Sequence, residues 1–310
     1  MSVAIVFPGQ GSQSMGMMTP YASLPAARST FEEASAALGF DLWKLVQEGP
    51  EEQLHLTVNT QPAMLAAGVA LFRAWRESGG PEPIAVAGHS LGEYTAWTVA
   101  GTLEFAAAVS LVRFRGQIMQ EAVPAGQGGM AALLGLEDDA VRAVCAEASS
   151  AGVVEAANYN SPGQVVIAGE AQAVQQAVDL AKARGAKRAV MIAISITAHS
   201  SLMRPAAERL RERLASLDLK APRIPVLNNV DVVAEVLPER IRDALVRQLS
   251  SPVRWVETIQ ALAQRGATTL LECGPAGVLA GLVKRTAPAL RPVAARDADA
   301  IRQLAAEFKA

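Results

Sequence analysis

Residues 86–101 read VAGHSLGEYTAWTVAG, and one serine stands there between two glycines, in Gly88-His89-Ser90-Leu91-Gly92. G-x-S-x-G after a strand and before a helix is the pattern of a nucleophile elbow. The glycines keep side chains out of a tight turn, which leaves the serine Oγ exposed above the sheet. The start of the following helix adds N–H groups and the positive end of its dipole, which suits a developing oxyanion. A glycine-flanked turn without chemistry is the competing reading. A serine at its free pKa is a weak nucleophile and needs a base. The chain offers three histidines. His55 lies in the polar stretch EEQLHLTV, and His89 adjoins Ser90, so its side chain is expected to point away from Oγ. His199 follows the apolar run AVMIAISITA, at the carboxyl end of an expected strand, where sites gather in open α/β sheets. His199 is the best base available, against the alternative of a buried, hydrogen-bonded histidine.

Two other stretches invite chemistry. FPGQGSQSMG, residues 7–16, has the glycine spacing of a phosphate loop, but Met17 and Met18 stand where Lys and Ser/Thr are required. G-x-G-x-x-G fails as well, since Ser14 fills the third glycine position. What remains is a glycine-rich loop whose backbone can approach a ligand closely and supply a second oxyanion donor opposite the elbow. Arg113 and Arg115 lie two apart in SLVRFRGQIMQEAVP. At ~100° per residue they face roughly opposite sides of a helix. An inward arginine needs an anion, and its fork suits a carboxylate. Two solvated arginines are the plainer alternative.

The elements must place these residues together. Val3–Phe7, Ile84–Ala87, IPVLNNV and Thr268–Cys273 read as buried strands bounded by Gly, Pro or Asn. Segments 20–38, 61–78, 91–120, 201–217, 238–248 and 253–265 read as helices. Such alternation predicts a parallel sheet with helices on both faces. Between them the order becomes strand 130–135, helix 137–148, strand 153–158, strand 164–168, helix 170–184 and strand 187–194, the ferredoxin-like β-α-β-β-α-β motif. The expectation is therefore an α/β protein: a hydrolase-like large domain, 1–126 and 196–310, with a ferredoxin-like small domain, 127–195, inserted in it.

Composition narrows the classes. Charged residues make up 19 % of 310, and the formal net charge is −2. That argues against a general nucleic-acid binder. The two cysteines, Cys145 and Cys273, form no CxxC pair, so neither a disulfide framework nor a zinc site is expected, and a reducing compartment is. No secretory leader or membrane span is read. The expected location is the cytoplasm.

FPGQGSQ, NTQPA, GHSLGEY, RGQIMQEAVPAGQGGMAALLGL, NYNSPGQVVIAG, AHSSLM and QLSSPVRW occur in that order. Together they resemble the malonyl-CoA:acyl-carrier-protein transacylases of fatty acid synthesis, across about residues 1–290. The resemblance implies transfer of malonyl from malonyl-CoA to the phosphopantetheine thiol of acyl carrier protein, with no cofactor, the coenzyme A thioester being substrate. It implies Ser90 as nucleophile, His199 as base and acid, and Arg115 as the malonyl carboxylate's partner. It also implies backbone N–H groups of Gln10 and Leu91 as the oxyanion hole, and Gln248 orienting His199 through its main-chain carbonyl. No acidic third member is expected. Two positions depart from the family. GPAGVLAGL, 274–282, lacks a lysine usual there, and Ala198 precedes the histidine where related polyketide acyltransferases carry phenylalanine with malonyl selectivity or serine with methylmalonyl; alanine matches neither and leaves room beside the C2 carbon. The carrier is expected to be acidic, which makes Lys182, Arg184, Lys187, Arg188, Lys284 and Arg285 candidates for its docking, against ordinary solvated faces. A discrete acyltransferase of a polyketide synthase and the malonyl-loading subunit of a malonate decarboxylase share this chemistry. A serine acyl hydrolase and a non-catalytic carrier-binding protein are the readings from other classes.

Overall fold

The computed structural model describes residues 2–124, 126–192 and 196–309. Its strands are, in chain order, β1 (Val3–Phe7), β2 (Ala85–Gly88), β3 (Gly128–Leu134), β4 (Val154–Ser161), β5 (Gln164–Glu170), β6 (Arg188–Ile192), β7 (Val226–Leu227), β8 (Thr269–Glu272) and β9 (Arg291–Ala294). β1, β2 and β8 are buried at every residue. Helices cover both of their faces, so the strands are apolar throughout rather than alternating. They pair in parallel in the order β7-β2-β1-β8-β9. The loops that follow β1, β2 and β8 all leave at the carboxyl edge. The strand order reverses at β1, which opens a crevice there, the usual ligand position in an open α/β sheet.

The second sheet is antiparallel, in the order β4-β5-β3-β6. One face carries helices Asp138–Ala148 and Ala171–Ala183 over a core that includes Leu133, Val141, Ile167 and Val178. From the other face Met130, Ala157, Val166 and Ala168 join the main hydrophobic core. Val253 packs in the core against Ala4, Val6 and Ala85 of the parallel sheet and bonds to the antiparallel one: its N–H donates to the Ala157 carbonyl at 2.8 Å, and its carbonyl accepts from the Tyr159 N–H at 3.0 Å.

The sequence expectations differ from this fold in several places. The helix expected over 91–120 is two helices, Leu91–Val99 and Phe105–Ala122. Gly101, with φ 83°, ends the first. Glu104 starts the second by accepting from the Ala106 and Ala107 N–H groups. The helix expected over 20–38 is a 3-10 turn, Thr19–Tyr21, followed by Pro25–Leu38 with Pro25 in its first turn. The helix expected from 61 begins at Thr57 and tolerates Pro62 inside its first turns. Short helices Leu42–Glu48 and Glu51–His55 were not expected, nor were helices Val278–Thr286 and Ala298–Lys309 with β9 between them. The end of the strand expected over 187–194 lies partly outside the described residues. No helix among the described residues is long and apolar enough to cross a membrane.

Candidate active site

β2 ends at Gly88, and the helix Leu91–Val99 begins three residues later. Ser90 bridges them at φ 52° and ψ −109°, a conformation that is strained for any residue with a Cβ. A Cβ on Gly88 would lie 1.8 Å from the Gly92 carbonyl carbon, and one on Gly92 would lie 2.0 Å from the Phe7 carbonyl oxygen. Both contacts are with backbone, so the elbow closes only with glycine on either side of the serine. Side chains from distant elements hold the strained turn. The Ser90 N–H donates to Asn229 Oδ1 at 2.8 Å, Asn229 Nδ2 donates to the Gly88 carbonyl at 2.7 Å, and Gln248 Nε2 donates to the Ser90 carbonyl at 3.0 Å.

Ser90 Oγ lies 2.7 Å from His199 Nε2. His199 Nδ1 lies 2.8 Å from the Gln248 carbonyl and 3.2 Å from the Ser251 carbonyl. Carbonyls only accept, so Nδ1 carries the proton and Nε2 presents its lone pair to the serine. Burial and the nearby Arg115 charge push the His199 pKa down to about 3, which keeps the ring neutral. A neutral imidazole with that tautomer can take the serine proton. Of the other histidines, His55 is exposed. His89 turns away as expected, its Nε2 2.8 Å from Asn160 Oδ1 and its ring edge-on to Trp255.

Arg115 points inward with 1 % exposure. Nη1 donates to Gln61 Oε1 at 3.0 Å, and Nη2 to Gln248 Oε1 at 3.1 Å and Ser90 Oγ at 3.3 Å. Its guanidinium carbon sits 5.1 Å from the centre of the Tyr94 ring, and its Nε has no partner. Every hydrogen-bond acceptor it has is neutral. Burial lowers its pKa, while Tyr94 and Glu93 raise it. Arg113 stacks instead on Phe40, at 4.9 Å. One arginine of the pair thus faces the crevice and the other does not.

Gln10 and Leu91 line the same chamber as Ser90, Arg115 and His199, a space of about 80 Å³ whose apolar side includes Met119, Met130 and Ala198. Leu91 is the first residue of its helix, so its N–H has no acceptor within the helix. The Gln10 side chain is tied back to Thr57 Oγ1 at 3.1 Å. A second space of about 270 Å³ shares Gln10, His89 and Met130 with the chamber and extends past Asn160 to Val278 and Leu282. The chamber and this space suit an acyl group attached to a long, thin chain. The motifs contain four further residues of the site whose place the sequence did not reveal: Gln61 in NTQPA, Glu93 in GHSLGEY, Asn229 in IPVLNNV and Ser251 in QLSSPVRW. Among the basic candidates, Arg184 pairs with Glu147 and Lys182 with Asp179, while Lys284 and Arg285 stand in the last turn of Val278–Thr286.

Residues 4–302 match the acyl transferase domain family. The chain is 51 % identical over 299 residues to the malonyl CoA-acyl carrier protein transacylase of Escherichia coli K12, covering 96 % of this chain and 97 % of that one. It superposes on the crystal structure of an acyl-carrier-protein S-malonyltransferase from Burkholderia pseudomallei with a TM-score of 0.97 and 54 % identity, covering 99 % of this chain and all of that one. A malonyl-transacylase solved in complex with a type II polyketide synthase acyl-carrier protein superposes with a TM-score of 0.96 and 48 % identity, covering 99 % of this chain and all of that one.

Proposed function

We infer the reaction from one premise: the chain belongs to the acyl transferase family and, within it, to the malonyl-CoA–acyl carrier protein transacylases. It transfers malonyl from malonyl-CoA to the phosphopantetheine thiol of an acyl carrier protein, through an ester on Ser90. The observation that carries this reading is Arg115, a buried cation with only neutral hydrogen-bond partners, 3.3 Å from the Oγ of a serine that is itself 2.7 Å from a neutral histidine. A neutral acyl group gives such a cation nothing to bind, whereas malonyl brings a carboxylate.

In the first half-reaction Ser90 Oγ attacks the thioester carbon as its proton passes to His199 Nε2. The Gln10 and Leu91 N–H groups receive the oxyanion of the tetrahedral intermediate. The carbon–sulfur bond breaks, the proton on Nε2 passes to the departing sulfur, and coenzyme A leaves as the thiol. In the second half-reaction the carrier thiol gives its proton to Nε2 and its sulfur attacks the ester carbon. The carbon–oxygen bond then breaks and Ser90 recovers the proton. Gln248 and Ser251 hold the imidazole through Nδ1, so carbonyls take the place of an acid. One site serves both substrates in turn, which gives ping-pong kinetics. The thioester is already activated, so the scheme requires no cofactor. The cytoplasm is the proposed location, a reducing one that suits two buried free thiols, Cys145 and Cys273.

Intact mass after incubation with malonyl-CoA tests the reading. The protein is expected to gain one malonyl group, to lose it on addition of holo-carrier protein, and to gain nothing as Ser90→Ala. Release of free malonate with no malonyl-carrier formed would make the protein a hydrolase instead.

A further inference from the structure

Glu93, three residues after the nucleophile, has no exposed surface, and the scheme above gives it no task. Its Oε1 accepts from Trp97 Nε1 at 3.1 Å. Its Oε2 accepts from the Asn229 N–H and from Gln248 Nε2, each at 2.8 Å. Gln248 Nε2 spends its other hydrogen on the Ser90 carbonyl at 3.0 Å. Glu93 and that carbonyl can only accept, and Arg115 can only donate. The Gln248 amide therefore has one satisfactory orientation, with Oε1 facing Arg115 Nη2 at 3.1 Å. The main-chain carbonyl of the same Gln248 receives His199 Nδ1–H. We propose that Glu93 is a positioning residue for malonyl selectivity, which acts by locking the Gln248 amide so that it aims the Arg115 guanidinium at the acyl group on Ser90.

The arrangement has a chemical logic. A carboxylate bonded directly to Arg115 would occupy the fork that the substrate needs. Glu93 instead supplies its negative charge through one intervening amide, which helps to offset the buried cation without a carboxylate occupying the guanidinium. Burial raises the Glu93 pKa to about 7 even against its three hydrogen-bond donors, and those donors offer no acceptor to a proton on either oxygen. In Glu93→Gln one acceptor oxygen becomes a donor NH₂ among those donors. With that NH₂ at the Oε2 position the Gln248 amide could satisfy it only by turning over, which would set NH₂ against Arg115; with it toward Trp97, the bond that holds Gln248 Nε2 loses its charge.

The inference rests on the malonyl-transfer reading and is tested by kcat/KM for malonyl-CoA and for acetyl-CoA in wild type, Glu93→Gln, Gln248→Ala, the double variant and Trp97→Phe. Glu93→Gln should lower the malonyl-to-acetyl ratio by about tenfold or more, the size of one charge-assisted hydrogen bond. In the Gln248→Ala background, which keeps the main-chain carbonyl, the same substitution should move the ratio less than about twofold. Trp97→Phe removes a bond to the same carboxylate without touching Gln248, and should leave the ratio within about twofold even if it lowers Tm. An unchanged ratio in Glu93→Gln, or an equal loss in both backgrounds, overturns the proposal. If Glu93→Gln does not fold, Glu93→Asp carries the same test, because the shorter carboxylate stays acceptor-only but falls short of Gln248. Wild type that shows no preference for malonyl would instead defeat the underlying assignment.

Discussion

Arg115 carries a full charge in a pocket where its hydrogen bonds go to two amide oxygens and a hydroxyl. Truncating it deletes the only buried cation that lines the chamber among the described residues. Losing one partner of a buried charge pair costs ~2–5 kcal/mol. At ~1.4 kcal/mol per tenfold, Arg115→Ala should lower malonyl transfer by roughly one to four orders of magnitude. Acetyl transfer should not fall in parallel, since acetyl-CoA has no carboxylate. Arg115→Lys should rescue only part of the loss, because a lysine has no fork. The comparison is kcat/KM for both substrates, and equal losses would make the residue structural. At this scale local pattern pointed to Ser90 between its glycines, His199 at a strand end and one arginine of a helical pair, and the structure brings these three side chains together. The sequence did not reveal Gln61, Glu93 and Asn229, because their partners lie 54 to 155 residues away. No local period encodes such a contact.

Helix Val278–Thr286 forms one wall of the outer space, and a buried carboxylate anchors its start. Glu272 Oε2 accepts from the Ala280 N–H at 2.8 Å, with further bonds from the Leu279 and Val278 N–H groups, while Oε1 has no partner. Burial outweighs these bonds and raises its pKa to about 7 from the ordinary 4.5. The folded state therefore binds more protons than the unfolded chain between those values, and this group's contribution to stability is full below 4.5 and lost as pH rises through 7. Glu272→Gln is neutral throughout. The stability of wild type relative to Glu272→Gln should decline by up to ~3 kcal/mol between pH 4.5 and 7.5, read from denaturant midpoints at each pH. A pH-independent difference would mean that the carboxyl titrates normally. The sequence did not disclose this helix or its cap, since Gly277 takes its φ of 66° just before a short apolar run that lacks a clear amphipathic period. The strands of the main sheet were legible because full burial makes them continuous apolar runs. The break at Gly101 was missed because helical pattern resumes within a few residues.

At the scale of the whole molecule, the β-α-β-β-α-β order could be read from residues 130–194, but not which face of that sheet meets the rest of the chain. That depends on Met130, Ala157, Val166 and Ala168, which join the main core, and on the Val253 backbone bonds. A sheet that buries both faces, one under its own helices and the other against its neighbour, has little independent stability. Thermal unfolding should accordingly be one transition, with calorimetric and van't Hoff enthalpies in agreement. Two resolved transitions would show that the antiparallel sheet stands alone.

The chamber around Ser90 has another consequence, for what leaks from it. At about 80 Å³ it is small and admits only a few waters. On the proposed mechanism a malonyl ester occupies that room and engages Arg115, so water has no fixed position in the chamber, while the outer space past Asn160 still admits a tethered thiol to His199. An acetyl ester is smaller and leaves the guanidinium to be hydrated, within reach of the same histidine. The wrong acyl-enzyme should drain to acid and free enzyme, while the right one persists until a thiol arrives. Selectivity would then be exercised twice, once at loading and once by differential lifetime. Following each ester by intact mass, without carrier protein, should show acetyl lost several-fold faster than malonyl. Equal lifetimes would mean that exclusion of water by the acyl group plays no part in the choice.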